Sequence, residues 1–447
     1  MRFIRLGLGV FFLLLVIEGA LRKWVWPGQQ QVIYLAKDAV LTLTLLVYFF
    51  RAREWRPRGL RGSIVGVVLL YYAAWVALEM LNPALPNSMV GLLGFKSHVL
   101  YSAFLLLIPA AFRNGAELVR WVNRYLLLAI PVFVLGLVQF FSPVTSVLNR
   151  YAGVEDVREV AVMSGKFVRI TGTFPFISGM VTFLFAILLT AICLLAARGF
   201  STRTVTTAAI IALGVCITPM TGTRWAVYIW AIVLPLVFWD SFAKQPGRFR
   251  KVIMLAAVVG VSVVVFGRFG GTGLTAFTQR ARTAGDDRTR IDNVLTQPYT
   301  FSQKAGLLGF GSGATHQAAP QLAPGVAPYS WLPDDQFEDE PGRVVLELGV
   351  IGFLVFCALK VSLWWYARKA VGRLAGREER ALASAASIFM LAHFTTPIIF
   401  NVTAGALFWA FAGIVVALVG WQETERGAPA RAGRTTVVVA PVRRAVP

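Results

Sequence analysis

The chain has 447 residues, of which 57% are hydrophobic and 15% charged, with a formal net charge of +21. A soluble chain of this length would form two or three domains, but apolar runs of about 20 residues recur along it, and each is long enough to cross a bilayer as a helix. So basic a chain raises the question of nucleic acid; here Lys and Arg cluster in short loops between apolar runs, the pattern of a membrane protein, so no nucleic-acid partner is expected.

Backbone groups in lipid must bond within their own segment, so the runs read as helices. The expected fold is an all-α polytopic membrane protein with about 12 transmembrane helices. Taken in chain order, the spans fall at roughly 3–21, 32–50, 62–80, 97–112, 121–141, 172–197, 204–219, 224–239, 252–267, 344–366, 381–399 and 402–421. The first follows Met-Arg-Phe-Ile-Arg and ends at Arg22-Lys23-Trp24 without a small-residue cleavage site, so it reads as a retained span. Cys193, Cys216 and Cys357 all lie inside apolar runs, with neither a disulfide framework nor metal spacing.

Alternate loops set the orientation. One set carries Arg51 to Arg61, Arg113 to Arg124, Arg198 and Arg203, Lys244 to Lys251, and Arg368 to Arg380. The short loops of the other set carry only Arg22 and Lys23, Lys96, and Arg224. The basic set is expected on the cytoplasmic side with both termini, in a bacterial inner membrane. This divides the chain into helices one to nine over 1–267 (with an outer loop at 142–171), a large periplasmic loop at 268–343, helices ten to twelve over 344–421, and a disordered cytoplasmic tail at 422–447. A segment as long as 268–343 between spans is usually functional; within it, 286–297 is expected to form a short helix with acids at its start.

Ionisable groups in a membrane are costly, so their positions are informative. Glu18, Lys37, Asp38, Glu79, Lys96, His98, Arg169, Arg224 and His393 all fall toward the outer side. The plainer reading of Glu18, Lys37, Asp38 and Glu79 is mutually satisfied pairs, and of His98 and His393 hydrogen-bonded helix residues. Lys360 falls toward the inner side, where its stem can snorkel. Arg224 stands apart: it opens a span directly after Thr221-Gly222-Thr223, and a guanidinium beside hydroxyls and a free turn suits a phosphate. The cluster Gly309, Gly311 and Gly313 lacks the strand–turn–helix context of a nucleotide loop and reads as a close-approach turn.

Four stretches together resemble the O-antigen ligase and polymerase superfamily of membrane glycosyltransferases. They are Arg169-Ile170-Thr171-Gly172-Thr173-Phe174 entering a span, Thr221-Gly222-Thr223-Arg224 opening another, Arg288 or Arg290 followed by the Gly306 to Gly313 turn, and Glu347-Leu348-Gly349-Val350-Ile351-Gly352. The likeness covers roughly residues 130–420. Many ligases carry His-Asn ahead of the last motif; here Glu338 and Asp339 stand there, with His316 upstream. That departure points to an acidic base, or to a polymerase-type or divergent member.

The resemblance implies transfer of a glycan from an undecaprenyl-pyrophosphate carrier to an acceptor hydroxyl on a glycan or lipid-linked acceptor. Arg224 and Arg169, with Arg288, Arg290 or Arg343, would meet the pyrophosphate as negative charge grows on it. Glu338 would serve as general base, or His316 in its place, and direct displacement would invert the anomeric carbon. A divalent-metal site in the acid-rich 334–340 stretch is the weaker reading, and neither metal nor cofactor is expected. A transporter or flippase of lipid-linked glycan is the alternative, and a structural subunit of an envelope complex a third; the polar residues lie on one side, without the mid-membrane symmetry common in transporters.

Overall fold

The computed structural model describes residues 1–51, 57–85, 87–153, 162–164, 167–198, 202–241, 260, 267–283, 287–322 and 339–427. It is predominantly helical. Seven described segments are long and apolar enough to cross a membrane: Arg2–Val25, Pro27–Arg51, Ser88–Ala111, Gly115–Phe141, Ile177–Ala197, Glu340–Arg373 and Val402–Glu425. Ile64–Glu79 and Arg203–Ile217 are apolar but shorter. The expected span at 252–267 lies almost wholly outside the described residues.

The helices are α1 (Arg2–Ala20), α2 (Gln30–Arg51), α3 (Ile64–Glu79), α4 (Ser88–Val99) running through a 3-10 turn into α5 (Phe104–Ala111), α6 (Gly115–Leu127) and α7 (Ala129–Phe141). After a small hairpin, β1 (Val162–Ser164) with β2 (Phe167–Val168), come α8 (Ile177–Ala197), α9 (Thr202–Ile217) and α10 (Arg224–Ser241). The expected long loop contains α11 (Gly267–Thr283), α12 (Asp287–Ala305) and the single turn α13 (Ala319–Leu322). Last come α14 (Glu340–Arg373), α15 (Arg377–Ala392) and α16 (Val402–Gly427). The segment expected as one short helix at 286–297 is thus a longer one, carrying Pro298 within it.

α8 and α16 form the centre. Both are apolar on every face, and almost every side chain of α8 is buried, as expected of a helix surrounded by others. α8 packs on α15 and α9, and α16 on α5 and α15. α1, α2 and α3 bury one stripe each and leave residues such as Leu6, Leu13, Leu43, Phe50 and Leu70 exposed, as suits helices facing lipid.

Polar contacts gather at two ends of the bundle. One joins the start of α1 to the ends of α5, α8 and α10: Arg5 pairs with Glu117 (2.7 Å), Arg198 with Glu378 (2.5 Å), and Arg368 with Asp240. The other joins the ends of α1 and α4 to the first halves of α2 and α14 and to the segments leading into α8 and α10, and holds Glu18, Asp38, His98, Arg169 and Glu347.

α14 departs from the expected simple span. Glu340 and Lys360 form an ion pair at 2.8 Å. Twenty residues of straight helix would separate them by about 30 Å. The chain instead reverses at Gly349, whose φ of 66° lies in the left-handed region, so 340–348 folds back along 350–360. Lys360 therefore does not snorkel to an aqueous edge. Its ammonium is buried between the Glu340 carboxylate and the Phe394 carbonyl oxygen (3.2 Å).

The reversal is pinned by the glycine turn. Phe310 and Gly311 donate their N–H groups to the carbonyls of Leu346 and Glu347, and Val350 and Ile351 donate to those of Gly306 and Leu307. A Cβ on Gly349 would collide with the Leu307 carbonyl, in a φ that other residues avoid. Gly349→Ala is therefore expected to destabilise the protein by about 2 kcal/mol or more. A thermal melt in detergent checks this; an unchanged midpoint would show that the reversal is not required.

Candidate functional site

Three clusters make up the polar end. The first holds the helices together. Glu18 pairs with Lys37 (2.6 Å) and Arg22 (3.1 Å), and Asp38 pairs with Lys96 (2.7 Å) while accepting from the Tyr101 hydroxyl (2.7 Å). The Lys37 and Lys96 ammonium groups also sit over the Tyr34 ring, each 4.4 Å from its centroid. Buried charges persist when paired and hydrogen-bonded; Glu18 and Lys37 pair with each other as expected, whereas Asp38 pairs with Lys96 and Glu79 stands apart, accepting from the Asn82 side-chain amide (2.6 Å).

The second cluster forms around Arg169. The stretch Arg169 to Phe176 is irregular, so α8 begins at Ile177, five residues later than the span expected from 172. Gln139 supplies what a helix or strand would otherwise give this stretch. Its side-chain oxygen accepts from the N–H groups of Thr171 (3.2 Å) and Gly172 (2.7 Å), and its amide donates to the carbonyls of Leu148 (2.7 Å) and Gly172 (3.2 Å). The buried Lys23 ammonium donates to Thr171 Oγ1 (3.1 Å) and to the Gly172 carbonyl (2.7 Å).

Held this way, Arg169 reaches the turn before α10. Its Nε donates to the Thr221 carbonyl and its Nη2 to Thr223 Oγ1, both at 3.2 Å. The turn passes through Gly222 at φ 63°, where the aliphatic stem of Arg169 lies against the space a Cβ would fill. Arg224 opens α10 from the same turn. Arg169 and Arg224, far apart in sequence, are thus carried by one hydrogen-bonded unit.

The third cluster centres on Glu347. Its carboxylate accepts from His98 Nε2 (2.8 Å), the Gly313 N–H (2.9 Å), the Thr315 N–H (3.0 Å) and the Thr315 hydroxyl (2.5 Å). A carboxylate can only accept, so His98 Nε2 carries its hydrogen there. The Tyr72 hydroxyl meets His98 Nδ1 at 2.6 Å, closing a buried Tyr–His–Glu chain. Arg343 donates to Thr315 Oγ1 (3.1 Å) and the Thr315 carbonyl (2.6 Å), with its guanidinium carbon 3.5 Å from the centroid of the Phe400 ring.

His316 follows in the same turn and accepts from the Ala318 N–H at Nδ1 (3.1 Å), so its hydrogen rests on Nε2. Burial holds its pKa below the usual histidine value; nearby Glu347 opposes this, and Lys96 and Arg343 reinforce it. The lowered pKa makes the folded protein favour neutral His316. Its contribution is present above the unfolded pKa of about 6.5 and is lost as pH falls through that value. Stability is therefore expected to drop between pH 7 and pH 5, and a His316→Gln variant to show a flatter profile by thermal melt. Identical profiles would exclude the role.

No protein-family model matches the chain, and no curated protein matches it. The residues expected to act in the reaction divide as follows. Arg169 and Arg224 share one turn. His316 and Arg343 share the Glu347 cluster. Arg288 and Arg290 lie in the first turn of α12, with side chains outside the described residues, and Glu338 lies wholly outside them, one residue before the Asp339 that precedes α14. His393, one residue past the end of α15, stacks on Phe389 at 4.0 Å between ring centroids and meets that residue's carbonyl oxygen at 3.0 Å, the hydrogen bonding expected of it.

Sequence reasoning missed Tyr72, Gln139, Lys23 and Thr315 as members of these clusters. Glu347 was visible in its motif, but not its four donors. Losing either end of a buried charged pair typically costs 3–5 kcal/mol. Glu347→Ala is accordingly expected to unfold the glycine turn and lower stability by about that much, with Glu347→Gln milder; an unaltered melt for Glu347→Ala would remove the anchor role.

Proposed function

We propose that this chain is a membrane-embedded, metal-independent inverting glycosyltransferase, of the O-antigen polymerase or ligase type. On this reading it moves a glycan from an undecaprenyl-pyrophosphate carrier to an acceptor hydroxyl at the periplasmic face of a bacterial inner membrane. The observation that carries the reading is the Arg169–Thr221–Thr223–Arg224 unit. It ties the Arg169 guanidinium to the Thr223 hydroxyl and to the turn from which Arg224 opens α10.

Breaking a glycosyl–pyrophosphate bond leaves growing charge on the diphosphate, and fixed cations there lower the barrier. Arg343 would add a third cation from the Glu347 cluster. Glu338 suits the base better than His316, whose Nδ1 already accepts a main-chain hydrogen bond. An apolar cavity of about 730 Å³ supports a lipid-linked donor. It runs between α2 and α4–α5, with Leu45, Phe49, Leu92 and Phe95 in its walls and Lys96 and Asp38 on its edge. An isoprenoid tail lying there would bring its headgroup toward Lys96, which is within electrostatic reach of His316.

The orientation belongs to the same proposal: twelve spans, both termini cytoplasmic, and 268–343 on the outer side. One observation favours a transporter or flippase as the second reading. The Glu340–Lys360 pair lies near the middle of the crossing part of α14, beside the break between α15 and α16, and discontinuous helices with buried charge are common in transporters.

The two readings separate in the native host with Arg224→Ala and Glu338→Gln. A polymerase loses its long-chain ladder on a surface-glycan gel while single units remain, and a ligase leaves long chains on the lipid carrier. In vitro, Arg224→Ala is expected to slow transfer by about 10²–10³. Repeat units trapped on the cytoplasmic side would indicate transport, and unchanged glycans in both variants would sink the site assignment.

A further inference from the structure

A second cavity, of about 520 Å³, opens at the opposite, basic end of the bundle, among the start of α1, the end of α2, the α3 approach, the α5–α6 turn and the end of α16. Among the described residues, Arg51, Arg58 and Arg113 line it and no carboxylate does. Its remaining wall is largely apolar, with Phe3, Leu106 and Trp421 among the lining side chains.

All three side chains are exposed. Arg51 and Arg58 contact neutral groups, and Arg113 lies within electrostatic reach of Glu117. Arg58 donates to Thr424 Oγ1 (3.0 Å), and Arg51 lies over the Phe3 ring, 4.7 Å from its centroid. Among the described residues none of the three forms an ion pair. The nearby acid Glu117 is taken by Arg5 (2.7 Å) and by the main-chain N–H of Arg113 (2.9 Å). Glu423 and Glu425 flank Thr424 on α16 but do not line the cavity.

Three like charges around one cavity repel each other unless an anion joins them. A soluble anion would be served by the arginines alone and would gain nothing from the apolar wall. An anion carrying a hydrocarbon chain satisfies both. We infer that this cavity binds an anionic glycerophospholipid of the adjacent leaflet, with its phosphate among Arg51, Arg58 and Arg113 and an acyl chain along Phe3, Leu106 and Trp421. Basic pockets between membrane helices hold acidic headgroups by this combination of charge and apolar contact. The site lies apart from the proposed catalytic turn and does not depend on the enzyme reading.

The test uses the full-length protein purified in neutral detergent, with lipid binding followed by native mass spectrometry and thermal melt. Phosphatidylglycerol is expected to bind and raise the melting temperature, and phosphatidylcholine to do neither. Arg58→Ala/Arg113→Ala is expected to weaken phosphatidylglycerol binding roughly 30-fold, which corresponds to about 1 kcal/mol for each basic residue removed. Both residues are exposed, so the variant should keep the wild-type melt without lipid; a variant that does not is replaced by Arg113→Gln alone, with a roughly five-fold loss expected. Equal binding of the two lipids, full binding by the variant, or the same stabilisation by inorganic phosphate alone would each overturn the inference.

Discussion

The buried carboxylate of Glu347 is the constraint on which the polar end of the bundle depends. A lone carboxylate inside a membrane protein is very costly, and it is tolerated only when donors surround it. Glu347 draws one donor from α4 and three from the glycine turn that follows α12. Satisfying this one group therefore fixes elements distant in sequence. The same demand aligns Thr315, and Thr315 in turn receives the Arg343 guanidinium. An arginine's position is thus set by the needs of a carboxylate it does not touch in any of these bonds.

The Arg169 turn follows a different logic. Among the described residues it is held by the Gln139 amide, by hydroxyls and by the Lys23 ammonium. Gln139 takes two N–H groups that no helix or strand claims, and Lys23 takes the oxygens on the other side of the same turn. Such a site is shaped by hydrogen bonds that fix the Arg169 guanidinium on the Thr221–Thr223 turn. On the proposed reading, cations would be positioned before a diphosphate arrives, so that little reorganisation would accompany the reaction.

The helical membrane architecture was legible because hydrophobic length is a local property of the sequence. Most expected spans have a described helix within a few residues, and the outliers have local causes. α4 starts at Ser88 rather than near 97, because Asn87 caps it with a side-chain bond to the Met89 N–H. α8 starts late, because 169–176 is claimed by Gln139 and Lys23. The glycine cluster was rightly read as a close-approach turn, but what it approaches was not legible. Gly309 packs on Gly349, and nothing in either motif alone specifies the other. His98 was equally opaque as a partner of Glu347, since pairing across 249 residues leaves no periodic trace. The fold-back of α14 was hidden for a related reason: its composition is that of one long helix, and only the single glycine at 349 breaks it.

The two irregular breaks of the membrane core explain each other. α15 ends at Ala392 and α16 begins at Val402, which leaves main-chain N–H groups in the interval without helical partners. In lipid those groups must be satisfied by protein. The Glu340 carboxylate does this, accepting from Ile398 (2.6 Å) and Ile399 (2.7 Å), while Lys360 balances its charge. Glu340 reaches that depth only because the chain turns back at Gly349. Arg343 lies three residues further along, on the same helical face, and so comes to rest over Phe400 at the end of the same break. A reversal, a buried ion pair and a broken helix together deliver one guanidinium to a defined place. An uninterrupted helix in this position would have carried Arg343 past the bundle, away from the Thr315 turn.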